Sequence, residues 1–381
     1  MLISMVRFTV LASGSKGNSA IVSCQSATGG STRILVDAGL SCRELFRRMA
    51  LAEEDPSTLD AILVTHEHVD HISGLAVTAR KLGIPVYFTE ATHRAWVRQV
   101  APQKRLTYAQ WAEQYRQNRD HLSSPEIKTV ASTEHHHSPE SATHQASGLK
   151  KGTGFREGTG FREGTGLSPC IDAAENGGAL APEGLPNPAS ADPCPRDLGD
   201  SEPSPAPNPT RIPSDLPSVQ YFRAGQTFSI GNVAVSPFTI PHDAADPVGF
   251  VFTADGVRLA IATDLGYMPP NVQAQLRHCD LILLESNHDL EMLRDGPYPW
   301  SVKQRVLSRV GHLSNEATAS FLEGTYDGNA TYLILAHLSE SNNLPELARL
   351  AAERALVGKP SLLANRLLLA SQHEPMQPVC F

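Results

Sequence analysis

The sequence predicts an α/β protein: strands build a two-layer core, helices cover its outer faces, and one long insertion interrupts the single domain. Three observations carry this. Strand-like segments come first and then alternate with helical ones. The composition changes sharply after about residue 122 and recovers near residue 218. A dense set of metal-ligand residue types, Val64-Thr65-His66-Glu67-His68-Val69-Asp70-His71, closes a short apolar strand.

The first body spans 1–122. Val6–Ala12 reads as a strand, Ser13–Ser19 as a Gly/Ser/Asn turn, and Ala20–Cys24 and Arg33–Asp37 as two further strands. Ser41–Ala52 has helical spacing at Leu45, Phe46 and Met49, with Ser41 placed to cap it. Ala61–Thr65 is a short apolar run and predicts a buried strand. Ser73–Leu82 and Thr92–Val100 predict helices around the strand Val86–Thr89. The second body spans 218–381. Gly225–Gly231 predicts a hairpin, and Ala234–Ile240, Gly249–Thr253, Leu259–Thr263, Leu281–Glu285 and Tyr332–Ala336 predict strands. Asn271–Arg277, Val302–Arg309, Asn315–Leu322 and Pro345–Leu356 predict helices, the last with proline in its favoured first turn.

Residues 123–217 differ in kind. These 95 residues hold 14 Pro and 11 Gly but only 12 large apolar side chains. Such a segment buries too little apolar surface to offset its ordering entropy, so it predicts disorder. Its GTGFRE repeat, Gly152–Glu157 and Gly158–Glu163, matches no solenoid period and lacks the Gly-Lys-Ser/Thr ending of a phosphate loop. His135–His137 sits in the same composition and is expected to be solvated rather than ligating.

Composition excludes several classes. No run approaches the roughly 20 apolar residues of a membrane span. The N-terminal apolar stretch is too short for a signal peptide, and six scattered cysteines form neither a disulfide framework nor a zinc-finger spacing. Both features predict a cytoplasmic protein. The net charge is −8, which at first argues against a polyanionic partner. The insertion alone carries 7 basic and 13 acidic residues, however, leaving only −2 on the two bodies. The total therefore says little about the folded part.

Four candidate ligands lie within six residues at His66, His68, Asp70 and His71. Imidazole and carboxylate donors suit zinc, and also manganese or iron. Adjacent Asp70 and His71 do not easily reach the ion that His66 and His68 hold, so two neighbouring metals are the natural arrangement.

His66-x-His68-x-Asp70-His71 resembles the signature of the metallo-β-lactamase superfamily. The resemblance covers roughly residues 5–122 and 218–381. It implies a four-layer αββα sandwich with one or two metals at strand ends. It also implies later ligands after strands, met here by His242 after Thr239-Ile240-Pro241, Asp264 after Ile261-Ala262-Thr263, and His337 after Leu335-Ala336. On that resemblance His66, His68 and His242 hold one divalent ion, and Asp70, His71 and His337 the other. Asp264 bridges them. Zinc is the expected ion, with manganese or iron as alternatives.

Further residues are similar to the YycJ/WalJ branch of small bacterial metallohydrolases. They are Leu11-Ala12-Ser13-Gly14-Ser15-Lys16-Gly17-Asn18-Ser19, His242-Asp243 with Pro247-x-Gly249-Phe250, Leu284-Glu285-Ser286-Asn287-His288, and Gly311-His312-Leu313-Ser314-Asn315. The last also resembles the Gly-His-Ser-Thr element of tRNA 3′-processing endonucleases, whose His serves the leaving group or phosphate. The branch is associated with 5′→3′ exonuclease activity on DNA. Only 72 residues separate Asp264 from His337, too few for the extra domain of a β-CASP nuclease.

The resemblance implies a metal-dependent phosphodiesterase or nuclease with a nucleic-acid substrate, DNA favoured over RNA, and no membrane partner. A metal-bridged hydroxide would attack phosphorus, with Asp70 and Asp264 orienting it and His312 as acid or phosphate donor. Ser13, Lys16, Asn18, Asn287, His288 and His312 are the candidate substrate contacts. Glu285 is expected at the site wall or behind a ligand. Trp96, Trp111 and Trp300 are expected to pack rather than to stack bases. A thioester or lactone hydrolase of glyoxalase II type is the alternative, since it shares the metal ligands. Deleting Ser123–Pro217 is expected to leave fold and metal content intact, as read by circular dichroism and metal analysis of the soluble product.

Overall fold

The computed structural model describes residues 5–27, 29–101, 116, 214–359 and 366–381. The disorder expected over 123–217 falls outside the described residues except at 214–217, as do Trp111 and His135–His137. Residues 1–104 and 207–381 form one unit and 105–206 another; the fold below is that of the first. Residues 214–217, assigned to the insertion by composition, already pack on the first body. Asp215 O accepts from Arg80 Nη1 at 2.9 Å, and Leu216 lies against a buried apolar cluster.

Strands β1 (Met5–Ala12), β2 (Ser19–Gln25) and β3 (Ser31–Val36) form an antiparallel meander. Helix α1 (Cys42–Leu51) follows, and the Ser41 hydroxyl accepts from Glu44 N to cap it. Strand β4 (Ala61–Leu63) joins β3 in parallel. Helices α2 (Val69–Ile72) and α3 (Leu75–Leu82) lead to strand β5 (Val86–Phe88), then helix α4 (Glu90–Val100). Strand β6 (Val219–Tyr221) pairs with β5 in parallel. The two flanks of the insertion are thus neighbours in one sheet, which makes them one domain.

The second sheet repeats this plan. Strands β7 (Phe228–Ile230), β8 (Val233–Thr239), β9 (Val248–Ala254) and β10 (Val257–Ala262) are antiparallel. After helix α5 (Pro270–Leu276), strand β11 (Leu281–Glu285) joins β10 in parallel. Helices α6 (Leu290–Asp295), α7 (Trp300–Val306) and α8 (Asn315–Gly324) precede the parallel strand β12 (Tyr332–Ala336). Helix α9 (Pro345–Ala355) and strand β13 (Leu367–Leu369) complete that sheet, while β14 (Val379–Cys380) returns to pair with β1.

Each sheet has seven strands, and their facing sides bury a shared core that includes Phe8, Val22, Ile34, Phe250, Phe252 and Ile334. The outer face of the first sheet is covered with Leu45 and Met49 of α1, Leu75 of α3 and Trp96 of α4. The outer face of the second is covered with Val272 of α5, Phe321 and Leu322 of α8, and Ala348 and Ala352 of α9. This is the αββα sandwich expected. Strand β11 shows why its run is wholly apolar: Leu281 and Leu283 face the central core, Ile282 and Leu284 the helices.

Some elements differ from expectation. The hairpin turn lies at Gly231–Asn232 between β7 and β8, not inside Gly225–Gly231. Helices α2 and α6 and the short strands β6, β13 and β14 are not predicted; two to six residues give too little periodicity to detect. Helix α7 starts at Trp300, two residues early, because Pro299 occupies its N-cap. Among the described residues, no helix is long and apolar enough to cross a membrane.

Candidate metal centre

The carboxyl ends of β1, β3, β4, β8, β10, β11 and β12 feed one buried cluster. His66, His68, Asp70 and His71 follow β4, His242 follows β8, Asp264 follows β10, and His337 follows β12. Their donor atoms fall into overlapping sets within 4.8 Å: His66, His68 and His242; His66, His71 and Asp264; Asp70, His71 and His337. The structure thus brings the sequence-predicted residues together, and the set His66, His71 and Asp264 spans the two groupings that the resemblance implied. A further set, Asp264, Glu285, His312 and His337, draws in Glu285 from the last position of β11.

Backbone strain marks the same place. Asp37 (φ 58°), Asp264 (φ 62°) and His337 (φ 57°) take the left-handed conformation just past a strand end. It costs a non-glycine residue on the order of 1–3 kcal/mol. That cost turns each side chain back over its sheet edge. Close approach matters too: a Cβ on Gly39 would collide with Asp70 O.

Hydrogen bonds fix which nitrogen each imidazole presents. His71 Nδ1 donates to Asp37 Oδ2 (2.7 Å), and His337 Nδ1 to Glu285 Oε1 (2.9 Å). The Thr65 hydroxyl donates to Asp37 Oδ2 (2.8 Å), so it accepts from His66 Nδ1 (3.0 Å). His242 Nδ1 donates to Gly311 O (3.1 Å). Nε2 of His66 and His337 is left toward the centre without a hydrogen-bond partner, whereas His71 Nε2 lies 3.0 Å from Asn18 Nδ2. His68 Nδ1 lies 3.2 Å from His242 Nε2. Buried ligands held in this way keep one tautomer and one orientation.

Burial and charge set the protonation pattern. Burial pulls the His66 imidazole well below its usual value, with further lowering by neighbouring histidines. Burial opposes charge at His71 as well, but Asp264, Asp70 and Asp37 outweigh it and hold His71 at about 9. Asp264 and Glu285 lie below the ordinary carboxylate range: burial raises them, and the surrounding histidines more than reverse it. His66 Nε2, Asp264 Oδ2 and His337 Nε2 are buried without a hydrogen-bond partner. A buried unsatisfied polar atom costs about 1–3 kcal/mol. Three such atoms converging from an imidazole-carboxylate donor set fit a metal ion, and the cluster can hold one.

The centre opens into a cleft of about 390 Å³ lined by His68, Val69, Asp70, Asp264, His312 and His337 together with Asn287, Tyr298, Val302, Arg305 and Val306. A larger cavity of about 720 Å³, bounded by α4 and β6 residues, has none of these donors. At the cleft, Arg305 grips Asp243 with two bonds, Nε to Oδ2 (2.5 Å) and Nη2 to Oδ1 (3.0 Å). His312 Nδ1 donates to Glu285 Oε1 (2.8 Å), leaving Nε2 for the cleft.

The model of the beta-lactamase superfamily domain matches residues 32–158 and 194–338. The chain belongs to the metallo-β-lactamase superfamily. It is 28% identical over 354 residues to exodeoxyribonuclease YycJ of Bacillus anthracis, covering 93% of this chain and 90% of that protein. To exodeoxyribonuclease WalJ of Streptococcus pneumoniae serotype 2 it is 27% identical over 344 residues, covering 90% and 86%. In fold it resembles the metallo-β-lactamase fold protein YhfI from Bacillus subtilis, with TM-score 0.50 and 13% identity over 98% of this chain and 99% of that one.

The remaining sequence-predicted residues are distributed unevenly around this cluster. The Ser13 hydroxyl accepts from His337 N (2.8 Å). Asn18 Nδ2 lies 3.0 Å from His71 Nε2 and 3.1 Å from both Asp70 Oδ2 and Gly14 O, so it ties the Ser13–Ser19 turn to Asp70 and His71. Asn287 lines the cleft and donates to His337 O (2.7 Å). Lys16 instead pairs with Glu340 at 2.6 Å and does not line the cleft. His288 is 1% exposed, neither ring nitrogen has a partner, and it too is absent from the cleft wall. Trp96 is buried and Trp300 is exposed on the surface.

Sequence reasoning missed Asp37, whose signal was only a carboxylate closing the apolar run Ile34-Leu35-Val36. Replacing Asp37 with Asn is expected to weaken metal binding about 10- to 100-fold, measured by chelator competition. A pH effect comes from His288, which burial pushes down to about 4. Its folded value lies below the unfolded one of about 6.5, so the unfolded chain takes up a proton first. The resulting destabilisation is absent above about pH 7 and grows between 6.5 and 4, to a limit on the order of 3 kcal/mol. His288→Gln should flatten that part of the stability–pH curve in urea titrations.

Proposed function

We propose that the protein is a dinuclear metal-dependent phosphodiesterase of nuclease type, a 5′→3′ DNA exonuclease in its preferred substrate, acting in the cytoplasm. The observation that carries this is the His312–Glu285 pair set beside the seven-residue donor cluster. The similarity to the exodeoxyribonucleases YycJ and WalJ supports DNA as the substrate. The free, buried Cys24, Cys42 and Cys279 fit a reducing compartment.

His66, His68 and His242 would hold one ion; Asp70, His71 and His337 would hold a second, and Asp264 would serve both. Zinc suits this donor set, with manganese or iron as alternatives. When bound, such ions polarise phosphoryl oxygens and make water acidic enough to ionise near neutral pH. The chain's own groups do the rest. Asp70 and Asp264 accept hydrogen bonds from the attacking water and aim it at phosphorus. Glu285 fixes the His312 tautomer through its hydrogen bond to Nδ1. His312 Nε2 then gives a proton to the leaving oxygen. Asp37, Asn18 and Ser13 keep His71, Asp70 and His337 in position.

A metal-loaded preparation assayed on end-labelled single- and double-stranded DNA and RNA, beside a thioester panel, is expected to degrade DNA. Hydrolysis of thioesters alone would favour the glyoxalase-type alternative. Asp70→Ala and His71→Ala should abolish turnover in folded protein. His312→Ala should lower the chemical rate about 10²- to 10⁴-fold with metal content retained; parallel loss of both would make His312 structural.

A further inference from the structure

One part of the cleft has no task in the hydrolytic chemistry. Val69 lies between His68 and Asp70, yet the residue is 70% exposed. A lone exposed valine is ordinary. Here, however, Tyr298, Val302 and Val306 line the same cleft, so an apolar and aromatic surface adjoins the donor cluster. We propose that this surface is a slot for the nucleobase next to the scissile phosphodiester, with Tyr298 as its stacking face. The proposal rests on the phosphodiesterase function above and specifies its substrate: a nucleoside-bearing diester rather than a simple one.

Rigidity supports a binding role. Tyr298 sits between Pro297 and Pro299, and the residue before a proline is confined to extended conformations. Val302 and Val306 are four apart on α7, so they share its cleft-facing side. The helix is anchored at its middle and at its C-terminal end. The buried Lys303 donates Nζ to Arg294 O (2.6 Å), and His312 N donates to Val306 O (3.0 Å). A Cβ on Gly311 would collide with Val306 O, so glycine permits that close join. The slot wall and His312 are therefore one connected piece, and a base held by the wall sets its phosphodiester against His312 and the donor cluster.

Size and charge agree. About 390 Å³ lies within the range of small-ligand pockets, the scale of one nucleotide. Arg305 lines the cleft with more than half its side chain exposed, and Asp243 engages only Nε and Nη2. Its remaining N–H groups are available to a neighbouring phosphate.

The test compares two chromogenic diesters, thymidine 5′-(p-nitrophenyl phosphate) and methyl p-nitrophenyl phosphate, on the metal-loaded full chain. The thymidine ester is expected to have a kcat/KM about 5- to 100-fold higher, the worth of one base stack. Tyr298→Ala should bring that ratio toward one, chiefly through KM, whereas Tyr298→Phe should keep it, because the ring is retained. A wild-type ratio near one overturns the slot, and so does a ratio that survives Tyr298→Ala. Failure to hydrolyse either diester, alongside thioester turnover, overturns the phosphodiesterase function itself.

Discussion

Charge balance in a buried space governs this molecule. Four carboxylates (Asp37, Asp70, Asp264 and Glu285) and six imidazoles (His66, His68, His71, His242, His312 and His337) share one end of the sandwich. Burying any one of these carboxylates alone would cost several kcal/mol. Each instead faces a histidine, and the raised proton affinity of His71 and His337 reflects that pairing. A divalent ion would satisfy the same carboxylates by displacing those protons, exchanging one kind of positive charge for another.

The two sheets explain how so many groups meet. Each runs from an antiparallel half to a parallel half, and parallel strands release all their carboxyl ends along one edge. Stacked face to face, the two edges supply ligands from both sheets to one place. The buried core between them, from Phe8 to Ile334, holds that edge rigid, and left-handed backbone at Asp37, Asp264 and His337 does the final aiming. Strain of this kind is tolerated because packed strands on one side and hydrogen bonds on the other over-determine the conformation.

Much of this was legible in the chain. Amphipathic and apolar runs mark most strands because each side of a strand here is buried in a different core. The candidate metal donors stand out because four crowd into His66–His71 and the others each follow an apolar run. Asp37 and the ring-orienting use of Glu285 were not legible in the same way. A lone carboxylate after a strand looks alike whether it meets solvent or an imidazole 34 residues away. Lys16 shows the converse: a lysine in a Gly/Ser turn suggests a phosphate, but the fold brings Glu340 to 2.6 Å from it.

The sequence by itself determined the secondary-structure order, the composition break and the positions of the candidate metal donors. Those follow from local periodicity and residue chemistry, which are written along the chain. Only the tertiary structure decided which nitrogen each histidine presents, that Glu285 serves both His312 and His337, and that Val69 shares a cleft with α7. Those depend on hydrogen bonds and contacts between residues far apart in sequence, and such pairings exist only once the two sheets have packed.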